Sequence, residues 1–371
     1  MNITDRSRGA IANPAENIAS LDGIRAIAVS LVFLAHGGLS NIVPGGLGVT
    51  MFFVLSGFLI TTLMRVEYAA TGGLDWRSFY LRRCVRLMPP LLLVVALSLS
   101  LTAVDGSGPP PTLGGIASVI FYFSNYFSIV VGNGIPDGLG VTWSLAVEEH
   151  FYIVFPLAAV LLLKSTRRTA AAMLAILCLA ILAWRCWLLA HGAAIGRIYM
   201  GTDTRIDSIL IGCAMALACN PVLDPVPEPV RRHAGSIGAA AIAVLLGTLF
   251  LRGEYFRWTY RFSVQSLAFA PLIYLAVALP RHAAFRWLNW TPLTYLGRIS
   301  YTIYLAHETC LIFVNQHWPG LGMVPSMAAT AVFAFAIAVP MRLCVEIPFA
   351  RIRRRLQQWR LSTVPEIAAT T

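Results

Sequence analysis

"LDGIRAIAVSLVFLAHGG", residues 21–38, has the composition of a membrane-spanning helix, yet it keeps Asp22, Arg25 and His36. Arg25 and His36 stand eleven residues apart. At 100° per residue they fall within about 20° of each other on one face, roughly 16 Å apart along the axis, about half the hydrocarbon thickness of a bilayer. Ionisable groups at that depth face a bundle interior or a water-filled path, because facing lipid costs several kcal/mol. The stretch therefore predicts a helix that lines something.

The rest of the chain agrees. Of 371 residues, 57% are hydrophobic and only 12% charged, about half the charged fraction of a soluble domain. Long apolar runs recur from end to end, whereas a β-barrel would show short alternating segments. The fold class is all-α, a polytopic membrane bundle. A net charge of +11 would suggest nucleic acid in a soluble protein. Here the arginines cluster between apolar runs, which fits membrane orientation and excludes nucleic acid as a partner. The seven cysteines form no CxxC pair, and no histidine or carboxylate has metal-ligand spacing, so no disulfide framework or metal site is expected.

Charge places the segments. A polar tail, residues 1–18, carries Arg6 and Arg8 and is assigned to the cytoplasm. Spans are predicted at about 19–39, 46–65, 88–104, 142–163, 169–191, 205–219, 235–251, 262–279, 294–316 and 322–343. The basic run Arg65, Arg77, Arg82, Arg83, Arg86 then reads as a cytoplasmic loop by the positive-inside rule. Residues 105–141, interrupted by Ser124 and Asn125, read as an external loop with a re-entrant or interfacial piece. The transmembrane domain is 19–350, and a basic tail, 351–371 with Arg351, Arg353, Arg354 and Arg355, ends inside. Ten spans put both termini in the cytoplasm of an inner-membrane protein. The outer loop 252–261, with three arginines, runs against this scheme.

Polar residues within the apolar runs concentrate the chemistry. Asp22 and Arg25, at i and i+3, can pair, and His36 has no partner in its own helix. Gly45, Gly46 and Gly48 open the second helix, leaving free backbone N–H groups or simply close packing. Arg82, Arg83 and Arg86 in "FYLRRCVRLMPP" (79–90) are either orientation anchors or a phosphate clamp. In "TWSLAVEEHFY" (142–152) neighbouring carboxylates diverge by 100°, and Glu148, one turn from Ser144, is the inward one. Ser300, Tyr304 and His307 form a polar stripe on one helix face. Arg205 and Asp207 are 200° apart on a helix and line one cavity only if that helix begins at Ile206.

In chain order, Arg25 with ten residues before His36, "GVTMFFVLSGFLIT", "FYLRRCVRLMPP", "WSLAVEEHFY" and "GRISYTIYLAH" resemble the membrane acyltransferase-3 family from about residue 20 to 350. The resemblance implies a ten-helix domain that moves an acyl group, usually acetyl from acetyl-CoA, onto a hydroxyl of an extracytoplasmic glycan or another acceptor. It implies a catalytic role for His36, acyl-donor binding for Arg83 and Arg86, and a functional glutamate at Glu148. Two positions depart from the pattern: Thr50 stands where an acidic residue or serine is common, and His150 where glutamine is common. No esterase-like domain follows residue 350, so such a partner would be another chain.

These readings predict an O-acyltransferase with His36 as general base and Glu148 orienting it. Arg25, Arg83 and Arg86 bind the donor, with Asp22, Arg205, Asp207, Ser300, Tyr304 and His307 in support. Acyl-CoA is a co-substrate and no cofactor is permanently held. The acceptor is a glycan, a lipid-linked sugar or a secreted small molecule such as a macrolide. A transporter using the polar stripe as its path, or a non-catalytic binding protein, are the competing classes.

Overall fold

The computed structural model describes residues 18–105 and 110–349; the two tails, with Arg6, Arg8 and the basic cluster 351–355, lie outside the described residues. Every described element is helical. Each predicted span forms a helix, and seven helices are long and apolar enough to cross a membrane. They are Ala19–Leu39, Gly45–Thr71, Trp76–Val104, Gly140–Lys164, Arg167–Ala190, Tyr260–Ala278 and Met323–Phe349. Asp207–Ala218 and Ala234–Phe250 are shorter apolar helices, and Thr291–His317 is long but carries the polar stripe.

In chain order α1 is Ala19–Leu34, α2 Gly45–Thr71 and α3 Trp76–Asp105. Two short helices, α4 (Leu113–Ile120) and α5 (Ser124–Val130), fill the predicted loop, and neither reaches a span's length. Then come α6 (Trp143–Lys164), α7 (Arg167–Ala190), α8 (Ile195–Met200), α9 (Thr202–Arg205) and α10 (Asp207–Ala218). The chain continues through α11 (Glu228–Arg232), α12 (Ala234–Phe250), α13 (Glu254–Trp258), α14 (Tyr260–Ala278), α15 (Thr291–His317) and α16 (Met323–Met341).

At the centre, α1 packs on α2 and α15, while α2 packs on α10, with α7 and α14 outside them. Small residues allow it. A methyl on Gly57 would lie 1.9 Å from the Ile209 carbonyl oxygen, and one on Gly212 would lie 2.1 Å from that of Val54, so α2 and α10 cross backbone to backbone. Leu157 and Leu161 of α6 and Ile176 and Leu179 of α7 turn outward, as lipid-facing side chains do.

Two boundaries differ from the sequence reading. The basic segment after α2 is not a loop. Asp75 caps α3, accepting hydrogen bonds from the Ser78 backbone N–H at 3.1 Å and from its hydroxyl, so the helix starts at Trp76 and carries Arg77, Arg82, Arg83 and Arg86 on its own surface. Pro89 and Pro90 lie inside it. Likewise α2 runs past residue 65. Its Arg65 reaches Asp224, which also accepts the Asn220 N–H at 2.9 Å. Burial pushes the Asp224 carboxyl up, but Arg65, that N–H and Arg167 outweigh it and hold the carboxyl below its ordinary value.

Candidate active site

Beyond Leu34, where α1 ends, the helical path changes character. Ala35–Leu39 is a π-turn, and Gly38 has φ +104°, which L side chains rarely adopt. His36 rides on this turn and is exposed. Its Nδ1 lies 2.7 Å from Nε2 of His307 on α15, and the two rings are parallel to within 2°. His307 is 2% exposed, and its Nδ1 is 2.7 Å from the Tyr304 carbonyl oxygen.

That carbonyl settles the tautomers. It only accepts, so His307 Nδ1 carries the proton and, with His307 neutral, its Nε2 must accept. His36 Nδ1–H is then the donor, and His36 Nε2 keeps a free lone pair. Phe33, Gly37, Leu311, Met327 and Thr330 line a narrow cleft with the two imidazoles. One turn back, the Tyr304 hydroxyl donates to the Val141 carbonyl at 3.1 Å and meets Ser144 Oγ at 2.6 Å, pinning α15 to the start of α6. Ser300 is buried on the same stripe.

Glu148 does not orient His36. Its carboxylate accepts from Ser56 of α2 at 3.0 Å and faces Arg83, Glu149 and Arg25; His307 holds the position assigned to it. The reason lies in α3. Because the arginines are helical rather than in a loop, Arg83 meets α6 and pairs with Glu149 at 3.2 Å, its guanidinium 3.1 Å from the centre of the Tyr152 ring. The alternative of one carboxylate inward and one outward is corrected too: α2 receives Glu148 and α3 receives Glu149.

Arg86, one turn on, is exposed and faces Arg25, Arg83 and Glu346. At the start of α1, Asp22 bonds Arg25 at 3.2 Å, as its i, i+3 spacing predicts, and also Arg298 of α15 at 3.1 Å. Arg25, Arg83, Arg86 and Arg298 thus gather around four carboxylates, Asp22, Glu148, Glu149 and Glu346.

Arg205 and Asp207 separate. α9 ends at Arg205 and α10 starts at Asp207 across Ile206, and the two side chains take different partners. Asp207 receives both terminal nitrogens of Arg185 at 2.9 Å and the Ser263 hydroxyl at 2.6 Å, a fully buried bidentate pair joining α7, α10 and α14. Arg205 stacks over Phe262 at 3.7 Å and donates to Thr50 Oγ1 at 3.3 Å. Sequence reasoning did not single out Ser56, Glu149, Tyr152, Arg185 or Arg298. Their signal is a polar side chain in an apolar run, and their partners lie up to hundreds of residues away.

Residues 18–345 match the family described as Acyltransferase domain. O-acetyltransferase OatA of Staphylococcus aureus (strain NCTC 8325) is 32% identical over 315 residues, 81% of this chain and 52% of its own length. The Bacillus subtilis (strain 168) protein named "Putative peptidoglycan O-acetyltransferase YrhL" is 34% identical over 311 residues, 80% of this chain and 49% of its own. The chain spans about half the length of these curated relatives. No solved structure matches it.

Proposed function

Since the chain belongs to this acyltransferase family, we propose that it transfers an acyl group, most simply acetyl, from acyl-CoA held on the cytoplasmic side to a hydroxyl of an extracytoplasmic glycan. In this reading it sits in the inner membrane with both tails cytoplasmic. The observation that carries the proposal is one helix. At one end of α1 an exposed imidazole is backed by a buried one; at the other, arginines converge.

His36 Nε2 takes the proton of the acceptor hydroxyl as its oxygen attacks the thioester carbonyl. The tetrahedral intermediate collapses, the C–S bond breaks, and the imidazolium returns the proton to the CoA sulfur. Throughout, the His36 Nδ1–H to His307 Nε2 bond fixes the ring and shares the positive charge that develops on it, in the manner of the orienting group of a catalytic triad. Arg83, Arg86 and Arg25 hold the CoA phosphates, which suit bidentate guanidinium binding. About 16 Å of helix separates Arg25 from His36, a distance an extended pantetheine arm spans. Asp22, Glu148 and Glu149 keep the arginines in place, and Ser300, Tyr304 and Ser144 hold α15 against α6. Relatives named as O-acetyltransferases support the reaction type.

The test is release of free CoA from acetyl-CoA by the purified protein in nanodiscs, with and without a glycan acceptor. Acceptor-dependent release is expected. Acetyl-CoA binding with no release on any hydroxyl acceptor would remove the transferase reading, and transport assays would take its place.

A further inference from the structure

Among the arginines of the described residues, Arg205 has the most buried N–H positions left open. It is 0% exposed, yet its Nε and Nη1 find no hydrogen-bond partner, and among the described residues no carboxylate lies within ion-pair distance. Nearby acids are already engaged. Asp207 is taken by Arg185 and Ser263, and Asp203 by Arg197, Trp184 and Tyr126. A guanidinium buried with N–H groups unsatisfied costs several kcal/mol unless something anionic reaches it.

Arg205 is also not alone. The Tyr199 hydroxyl lies in the field of both Arg205 and Arg261, and Arg261 in turn faces Arg257. Arg261 is half-buried, and its Nε is also a buried N–H without a partner. Arg257 is exposed, with its guanidinium over Trp258 at 5.0 Å. The three cations therefore step from surface to interior: Arg257, Arg261, Arg205. Aromatic rings flank the steps. Tyr199 packs against Trp143 at 4.8 Å and against Trp258 and Phe262 at 6.1 Å each.

Arg257 and Arg261 belong to the 252–261 segment, whose arginines the positive-inside rule does not explain on an outer face. They adjoin the catalytic histidines. A methyl on Gly46 would lie 3.4 Å from the Tyr199 hydroxyl oxygen, while one on Gly45, the next residue, would lie 2.7 Å from the β-carbon of Ala35, beside His36. Trp143 is followed by Ser144, which bonds Tyr304.

We infer that Arg257, Arg261 and Arg205, with Tyr199 and Trp258, form a subsite for an anionic saccharide: a sugar acceptor bearing a carboxylate or phosphate near the hydroxyl to be acylated. The anionic group pairs with Arg261 and reaches the open N–H groups of Arg205, and the aromatic rings take the apolar face of the sugar. This deepens the transferase reading and rests on it for the meaning of the ligand as acceptor. Binding of the anion can be measured without turnover.

The experiment is isothermal titration of the purified protein in phosphatidylcholine nanodiscs with two matched pairs of probes. One pair is N-acetylglucosamine against N-acetylglucosamine 1-phosphate, and the other is chitotetraose against a hyaluronan tetrasaccharide. At least one anionic member should bind tenfold or more tightly than its neutral partner, and the pair that shows the preference distinguishes phosphate from carboxylate. Arg261→Gln and Arg257→Gln, both on accessible side chains, should each reduce the preference, with Arg261→Gln bringing it below threefold. Arg205→Gln should abolish it in protein whose melting temperature is retained. Equal affinity within both pairs, including no binding to either member, overturns the proposal, as does a preference that survives Arg261→Gln. CoA release, run separately, tests transfer. A preference without release would remove the transferase reading and keep the subsite, whereas release without a preference would do the reverse.

Discussion

At the His36 end of α1, two imidazoles and a backbone carbonyl are joined in a line. At the Asp22 end, Asp22 bridges Arg25 and Arg298, and beyond it Arg83 pairs with Glu149 while Arg86 stays exposed. The contrast fits what each end must do in the proposed transfer. A base that works at neutral pH has to be uncharged before it acts, and a buried neutral partner fixes its tautomer without drawing a second ion into the membrane. Recognition of phosphates needs the opposite: guanidinium groups already held in place, with carboxylates limiting their mutual repulsion. One helix carries both because 16 Å or so of rise separates them.

Removing the proposed base, His36, should produce the largest effect. His36→Ala is expected to insert and purify normally, since the side chain is exposed, and to lose at least about 100-fold in kcat, the contribution of a positioned general base. Retention of more than a tenth of the activity in a CoA-release assay would show that the His36 end is not the chemical end. Next comes its support. His307→Ala should lower kcat by roughly 10–100-fold with little change in either KM, an effect of positioning rather than binding. His307→Gln, whose side-chain carbonyl can still accept from His36 Nδ1–H, should recover part of that loss. Equal loss in both variants would mean that His307 only fills space.

At the charged end the effect should move from kcat to KM. Arg86→Ala is expected to raise the KM for acyl-CoA by about tenfold, the equivalent of about 1.4 kcal/mol, while the KM for acceptor stays put. Arg83→Ala should do the same and also lower the melting temperature, because it strands Glu149 inside the bundle. Unchanged acyl-CoA binding in the double variant would reduce the arginines to orientation anchors. The smallest effect is assigned to Ser56→Ala, which removes the hydrogen bond to Glu148. It should cost about 1 kcal/mol, about fivefold in donor KM, and leave kcat unaltered.

The helical membrane fold was legible because apolar length and arginine placement are local properties of the chain, and every predicted span forms a helix. The Asp22–Arg25 pair was legible for the same reason: three residues of helix determine it. The His36–His307 bond was not, because 271 residues separate the two rings and only the packing of α1 on α15 joins them. The start of α3 was missed through local chemistry that the sequence did contain. Asp75 followed three residues later by Ser78 is an N-cap, and charge counting on the arginines that follow hid it. The partner of Glu148 was not legible either: Ser56 lies 92 residues away on α2, and only packing brings the two together.

Sidedness is the central claim: donor from the arginine end, acceptor from the histidine end. Proteoliposomes of one orientation, with acetyl-CoA confined to one face and a membrane-impermeant oligosaccharide to the other, test it directly. The account predicts O-acetylated oligosaccharide only when acetyl-CoA faces the Arg83–Arg86 end of the bundle and the oligosaccharide faces the His36 end. Product formed only when both substrates share the arginine face would contradict it.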